Sequence, residues 1–307
     1  MGELCGYLNI YKAPGMTSHD VVFKARKILK TKKIGHTGTL DPNAQGVLVL
    51  CVGRATKMVQ FLSDLDKCYR AEILFGQATD TCDITGTVVA EGPWDHLTPE
   101  AFLDALAAFE GETLQVPPIY SALKVDGKKL YEYAREGKSV EIAPRPISIS
   151  EITATQQETL PKRAEFRVQC SKGTYIRSLC RDIGERLQIP ACMGNLYRER
   201  VGSFTIDEAL SLEALEQLAA EDRLDAALKP VHWGLEQFKT VTATDRGSRF
   251  VRNGNALYPW NVCGDFSGLS EGELVKLYAD GEFIGMGKFT AGAGEEDPCV
   301  KPVKLLV

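Results

Sequence analysis

The spacing of apolar residues changes period several times along the chain, and each change marks an element. Val21, Val22, Ala25, Ile28 and Leu29 fall on one stripe at helical spacing, with Thr17 or Ser18 available as a cap and Lys27 and Lys30 in the last turns, where cations suit the dipole. This predicts an amphipathic helix. Val47 to Val52 is an unbroken apolar run of strand length, and the stretch before it, from Gly35 through Gly38 to Gly46, reads as a glycine-punctuated loop entering a core sheet. Tyr69, Ala71, Ile73 and Phe75 alternate as in a strand, and Thr87 to Ala90 makes another. Thr98-Pro99-Glu100 opens a helix with a cap and a proline at its first position. Further on, Ala164 to Cys170 predicts a strand, Thr174 to Leu187 a helix, Leu196 to Phe204 a strand, and Leu210 to Leu228 a helix. Pro230 and the glycine-rich remainder read as short strands. Mixed helix and strand with no internal repeat implies an α+β protein, with a boundary near residues 230–240.

Composition narrows the class. The chain has 307 residues, 44% hydrophobic and 25% charged, which excludes a disordered or fibrous protein and suits a large domain plus a small one. The run from Val47 to Val52 is the longest apolar stretch, far below the roughly 20 residues of a membrane helix. The first residues lack the charged and apolar regions of a secretory signal, so a cytoplasmic protein is expected. Nine cysteines are scattered without a CxxC, and His19, His36, His96 and His232 form no ligand pair. Free thiols and no metal are the expectation.

Charge is distributed in blocks. The formal net charge is −5, yet residues 1–70 carry +6, residues 71–118 carry −9, residues 119–200 carry +5 and residues 201–307 carry −7. Two basic segments converging in space make a surface for a polyanion, while the acidic remainder keeps the protein dissolved. The plainer reading of Lys27 to Lys33 is a solvated helix end. Residues 117–146 add Tyr120, Tyr131 and Tyr133 interleaved with Lys124, Lys128, Lys129, Arg135, Lys138 and Arg145, which suits RNA grip by stacking and phosphate contact. Gly285-Met286-Gly287-Lys288 lacks the glycine spacing of a P-loop, so no ATP site is read there.

Asp41 is the leading candidate for chemistry. Pro42 pushes it out of helical geometry, and Gly35, Gly38 and Gly46 let backbone approach a ligand closely. A carboxylate fixed in such a loop is ionised at its ordinary pKa near 3.9 and attacks an electrophilic sugar carbon, or accepts a proton, without a separate base. Arg177 lies near the start of a helix whose apolar stripe is Ile176, Leu179, Cys180, Ile183 and Leu187. A cation there opposes the dipole by roughly 0.3–1 kcal/mol, which calls for an anionic partner such as Asp41. A solvated surface arginine is the alternative. Tyr69 and Tyr175 suit stacking on a base and also offer a hydroxyl, although a tyrosine in a strand or first helical turn is more often core; Leu196 reads as a strand residue facing apolar neighbours.

Taken together these residues resemble the bacterial TruB-type tRNA pseudouridine synthases. The resemblance is carried by Gly35-His36-Thr37-Gly38-Thr39-Leu40-Asp41-Pro42 through Gly53-Arg54-Ala55-Thr56-Lys57, and it continues in Lys67-Cys68-Tyr69-Arg70, Gly76 to Asp83, Gln115 to Gly127, Lys172 to Arg177 and Leu196-Tyr197-Arg198. It implies the pseudouridine synthase fold, with a large mixed, mainly antiparallel sheet flanked by helices in residues 1–235. It also implies an RNA-clamping insertion at about 117–146 and a small β-rich PUA-like domain in residues 240–307. In this resemblance Asp41 is the nucleophile, Tyr69 stacks on the target uracil, Arg177 pairs with Asp41, His36 contacts the flipped-out loop, and Tyr175, Leu196 and Lys12 line the pocket. Three positions depart from the pattern: Lys12-Ala13-Pro14 shifts the proline by one, Cys192 stands where relatives often place histidine, and residues 240–307 carry a net −2.

The implied reaction isomerises uridine 55 in the T loop of tRNA to pseudouridine without a cofactor or metal. Its implied partner is the T-arm stem-loop, met by a monomer with no protein partner. Extruding the base costs a few kcal/mol, to be offset by stacking and phosphate contacts. Whether Asp41 attacks the sugar, adds to the base or removes a sugar proton is left open by the residues, with chemistry at the sugar preferred. Two rival readings are an RNA-folding factor and a related synthase acting on another RNA or with a guide.

Overall fold

The computed structural model describes residues 4–156, 159–292 and 297–306. The first part of the chain forms β1 (Gly6–Lys12), α1 (Ser18–Ile28), β2 (Ile34–His36) and β3 (Gln45–Val52). A 3-10 turn, Gly53–Met58, runs into α2 (Val59–Ser63), followed by β4 (Lys67–Phe75) and the hairpin of β5 (Gln77–Thr79) and β6 (Val88–Glu91). Next come α3 (Pro99–Ala107), β7 (Gly111–Gln115), a small hairpin of β8 (Lys124–Val125) and β9 (Lys128–Lys129), and α4 (Leu130–Arg135). β10 (Arg145–Gln156), β11 (Arg163–Cys170), α5 (Ile176–Leu187), β12 (Ala191–Val201), β13 (Phe204–Thr205) and α6 (Leu212–Ala220) complete this part.

One nine-stranded sheet organises these elements, in the order β1-β3-β12-β4-β11-β10-β7, with β2 on β3 and β13 on β12. Its pairings are antiparallel except for β12 beside β3, which is parallel. The fold is therefore α+β with a mixed, mainly antiparallel sheet. The apolar run of β3 is explained by burial on both faces. Leu48, Leu50 and Val52 pack under α1 and α6, whereas Val47, Val49 and Cys51 join Tyr7, Phe61, Leu62 and Phe204 on the other side. In β4 the alternation is one-sided. Tyr69, Ala71, Ile73 and Phe75 face a core shared with Phe102 of α3 and Leu179 and Ile183 of α5, while Arg70 on the opposite face reaches Glu165 and Glu199. Each large apolar side chain buried in this way contributes about 1.5–3 kcal/mol.

Element ends are set by identifiable contacts, and several differ from the expectation. Thr17, not Ser18, caps α1, in a reciprocal box with Asp20. α5 begins at Ile176 because Tyr175 stays extended, held by Gln115, whose side chain accepts from the Tyr175 N–H and donates to its carbonyl. β12 starts at Ala191 rather than Leu196 and ends before Gly202, whose φ of +52° turns the chain into β13. The helix expected over 210–228 stops at Ala220. Glu221 and Asp222 would oppose the dipole at its end, and Asp222 adopts φ +55°, closing the helix through the Arg223 N–H to the Leu218 carbonyl.

From Lys239 onward a second sheet forms in the order β14 (Lys239–Thr242), β15 (Leu274–Ala279), β16 (Glu282–Thr290) and β17 (Cys299–Leu305), beside α7 (Asp245–Arg252). It has its own core of Val241, Val251, Leu257, Val275, Leu277, Ile284 and Val300. Met286 and Leu306 reach instead into the cluster of Leu62 and Leu235, and Arg54 and Lys57 donate to the carbonyls of Leu306 and Leu305 at 3.2 and 2.7 Å. The small β-rich unit is thereby tied to the turn that follows β3. Among the described residues no helix is long and apolar enough to cross a membrane.

Candidate active site

The loop between β2 and β3 carries Asp41 and is fastened at four points. Its start is held by the Thr37 N–H on the Val49 carbonyl at 3.1 Å, and its middle by Ser18, whose hydroxyl accepts from the Leu40 N–H at 2.9 Å. A turn closes from the Ala44 N–H to the Asp41 carbonyl at 3.1 Å, as the Asp-Pro pair favours, and the Gly15 N–H reaches the Pro42 carbonyl at 3.0 Å. Gly46 then has to be glycine. It adopts φ +109°, and a Cβ there would meet the Arg198 carbonyl oxygen at 2.3 Å, where β3 lies against β12.

Asp41 meets Arg177 side on, Oδ2 at 2.9 Å from Nε and Oδ1 at 3.2 Å from Nη2. The arginine is 7% exposed and its other protons are also engaged: Nη1 donates to the Thr81 carbonyl at 3.2 Å and Nη2 to the Tyr120 carbonyl at 2.9 Å. Asp83 stands behind, Oδ2 3.8 Å from Nη1. Three chain segments thus converge on one guanidinium, which fixes its plane and with it the carboxylate. The Asp41 side chain keeps 38% of its surface open to the cavity. Burial pushes its carboxyl above the ordinary range, with Asp83 adding to the rise and Arg177 and Lys12 opposing it.

The cavity in front of Asp41 has a volume of about 780 Å³. Tyr69, His36, Tyr175, Leu196 and Arg177 all line it, so six of the seven residues expected at the site converge there. Tyr69 is 9% exposed, and burial raises the pKa of its hydroxyl, with Arg198 opposing the rise. His36 is half-buried, its pKa lowered first by burial and then by Arg198, so the neutral imidazole is favoured; its Nδ1 has no partner among the described residues.

Lys12 departs from the expectation and does not line the cavity. It is fully buried behind the loop, donating to the carbonyls of Ala13, Pro42 and Ala44 at 3.1, 2.8 and 2.6 Å. Burial pushes its pKa down to about 8. An ammonium placed there ties the Pro42 and Ala44 carbonyls of Asp41's turn to the Ala13 carbonyl after β1, so its part is to shape the loop.

The sequence reasoning missed two cations of comparable standing. Arg198, 2% exposed, donates to the carbonyls of Val47, Gly38 and Thr39 at 2.8, 3.1 and 3.4 Å, beneath the same loop. A signal existed: it stands two positions from Leu196 in the expected strand, on the same face as that apolar residue. Lys67, 6% exposed, lines the cavity beside Ser63. Tyr120, Ser121, Ala122, Leu123 and Tyr131, from the segment around β8, β9 and α4, form the opposite wall. Two tyrosines of that segment are not bare: Lys128 covers Tyr133, and Lys129 and Arg135 cover Tyr131. The described residues hold no cluster of three or more His, Cys, Asp or Glu side chains that could bind a metal.

A carboxylate paired with a buried arginine thus lies in a cavity whose other charged lining residues, Lys67, Lys172 and Arg198, are cations, which suits an anionic ligand. Comparison with known structures defines the class: the fold is that of the pseudouridine synthases. The chain matches the structure of a Cbf5-Nop10-Gar1 complex with TM-score 0.78 and 28% identity, covering 98% of this chain and 85% of that one. An H/ACA RNP bound to a substrate RNA containing 2′-deoxyuridine matches with TM-score 0.76 and 26% identity, covering 98% and 85%.

Sequence comparison gives the family. Residues 26–176 match the TruB family pseudouridylate synthase N-terminal domain, and residues 177–236 match the tRNA pseudouridylate synthase B C-terminal domain. A relative named tRNA pseudouridine synthase B from Caldanaerobacter subterraneus is 45% identical, covering 92% of this chain and 94% of its own length. One of the same name from Bacillus licheniformis is 43% identical, covering 98% and 97%. The chain belongs to the TruB family of pseudouridylate synthases.

Proposed function

We propose that this enzyme converts uridine 55 in the T loop of tRNA to pseudouridine, with Asp41 as the nucleophile. The observation that carries the reading is the side-on pairing of Asp41 with Arg177 at the floor of a cavity that also presents Tyr69. The target nucleotide leaves its stack and its uracil lies on the Tyr69 ring, which offsets part of the unstacking cost. Asp41 acts at the ribose. An Asp41 carboxylate oxygen bonds to C1′ as the C1′–N1 bond breaks and its electron pair leaves on uracil; the base turns against Tyr69, and C5 then bonds to C1′ as the C1′–O bond to Asp41 breaks and returns the carboxylate. The C5 proton is lost and N1 takes one up, so the atoms balance without a cofactor. Arg177 favours the ionised carboxylate against the cost of burial.

His36 contacts the flipped-out loop, and Tyr175 and Leu196 confine the base. We read residues 1–235 as the catalytic unit, 117–146 as the segment that closes on the T arm, and 240–307 as an accessory RNA-binding domain. The enzyme acts as a monomer, in the cytoplasm, where its tRNA is found. The test is tritium release from 5-labelled uridine in a synthetic T-arm stem-loop, by the unmodified chain and by Asp41→Asn. A loss of at least about 10³-fold is expected for removal of a nucleophile. Turnover by Asp41→Asn at the unmodified rate would overturn the assignment, and equal turnover on unrelated hairpins would remove the tRNA claim.

A further inference from the structure

The cavity has a second end whose chemistry differs from that around Asp41. It is lined by Ser63, Lys67, Ser171, Lys172 and Thr174. Lys67 and Tyr69 occupy the same face of β4, paired across β11 with Cys170 and Val168, so the ammonium stem starts one side-chain step, about 6.6 Å, from the proposed base platform. The Lys67 ammonium makes one hydrogen bond, to the Ser63 carbonyl at 2.6 Å, and no ion pair among the described residues. Its hydroxyl neighbours are already used: Ser63 donates to the Val59 carbonyl, Ser171 accepts from the Ser148 N–H, and Thr174 donates to the Ser171 carbonyl. Lys172 pairs with Asp64 at 2.7 Å, but both side chains are well exposed, at 60% and 57%, so this pair is cheaply exchanged for another anion.

A buried ammonium with spare protons and no counter-ion is costly unless an anion arrives with the substrate. We propose that Lys67 and Lys172 hold a backbone phosphate of the RNA strand next to the extruded nucleotide, anchoring the strand while the base is worked on at the other end. Burial and Arg198 push the Lys67 pKa down to about 8, against the pull of Cys170, Asp64 and Asp66, and a phosphate offsets that cost by favouring the charged form. The inference rests on the reading of Asp41 as the residue that acts on a uridine in RNA.

The experiment measures binding and turnover of a synthetic T-arm stem-loop between 50 and 200 mM salt, for the unmodified chain, Lys67→Gln, Lys67→Arg and Lys172→Ala. For Lys67→Gln we expect affinity to fall about 5–20-fold and the slope of log K against log salt to flatten by about 0.7–0.9, with KM raised more than kcat is lowered. Lys67→Arg restores most of the loss. Lys172→Ala, at an exposed position that tolerates truncation, flattens the slope as well. A methylphosphonate at the linkage flanking the target uridine weakens the unmodified chain but adds nothing to Lys67→Gln. An unchanged slope in both Lys67→Gln and Lys172→Ala, or a loss confined to kcat, overturns the phosphate site. Absence of turnover by the unmodified chain would instead sink the uridine reading on which it rests.

Discussion

Replacing Arg198 by methionine tests how far the loop that carries Asp41 depends on a nearly fully buried cation at the edge of the cavity. The side chain is 2% exposed and supports three carbonyls, of Val47, Gly38 and Thr39. Methionine fills much of the same volume but donates nothing, so the acceptors lose their partner. Leaving one buried acceptor unpaired costs about 1–3 kcal/mol. The Val47 contact, at 2.8 Å and wholly buried, sits at the upper end of that range, whereas the contacts at 3.1 and 3.4 Å sit at the lower end. A destabilisation of about 3–5 kcal/mol follows, a large part of the roughly 5–15 kcal/mol that keeps a domain folded.

Activity falls further than stability alone requires, because Gly38 and Thr39 precede Asp41 closely and a shift of about 1 Å at a reacting group costs on the order of 10²-fold. Urea unfolding and single-turnover tritium release, both below the unfolding transition, separate the two effects. Arg198→Lys, whose single ammonium cannot span the three carbonyls, falls between the two. An Arg198→Met chain that loses less than about 1 kcal/mol and retains its turnover rate would refute the idea that this arginine organises the loop.

Three further outcomes are expected. Asp41→Asn retains a melting temperature no lower than the unmodified chain at neutral pH: an acid whose folded pKa is raised destabilises the fold once ionised, and the amide removes that charge while still accepting from Arg177. Its relative advantage fades as pH falls towards the range where Asp41 is protonated, and a lower melting temperature at neutral pH would contradict this. Folding stability rises between about pH 8 and the ordinary lysine range near 10.5, because Lys12 and Lys67 release protons in the folded state that the unfolded chain still holds. Urea midpoints give this slope, which should shrink in Lys67→Gln; an identical slope in that variant counts against the assignment. Gly46→Ala costs more than about 2 kcal/mol, since φ of +109° and the Arg198 carbonyl at 2.3 Å forbid its Cβ; thermal melts within about 1 kcal/mol of the unmodified chain would show that the two strands separate easily.

Much of this molecule is legible in the order of its residues. The apolar stripe of α1, the unbroken run of β3 and the alternation of β4 each encode their own burial, because hydrophobic periodicity is a local record of which faces leave water. Asp41 stands out for the same kind of reason, as a proline and glycines constrain the backbone beside it. Element ends are less readable. Tyr175 remains outside α5 because Gln115, sixty positions away, holds its backbone, and no local pattern records that contact.

Short-range spacing thus suffices for most elements, and the resemblance of short motifs suffices for the family and its fold and singles out Asp41 as the candidate carboxylate. The placement of the cations is settled elsewhere, in the packing of distant segments. Lys12, Lys67, Arg177 and Arg198 are all buried, against the ordinary preference of such side chains for solvent. The partners of Lys12, Arg177 and Arg198 are mostly backbone carbonyls of distant segments and, for Arg177, the Asp41 carboxylate, whereas Lys67 has one local partner, the Ser63 carbonyl. A carbonyl has no residue identity, so nothing in the letters distinguishes Lys12 behind the loop from Lys67 in the cavity wall. That distinction exists only once β1, β4 and β12 lie in one sheet.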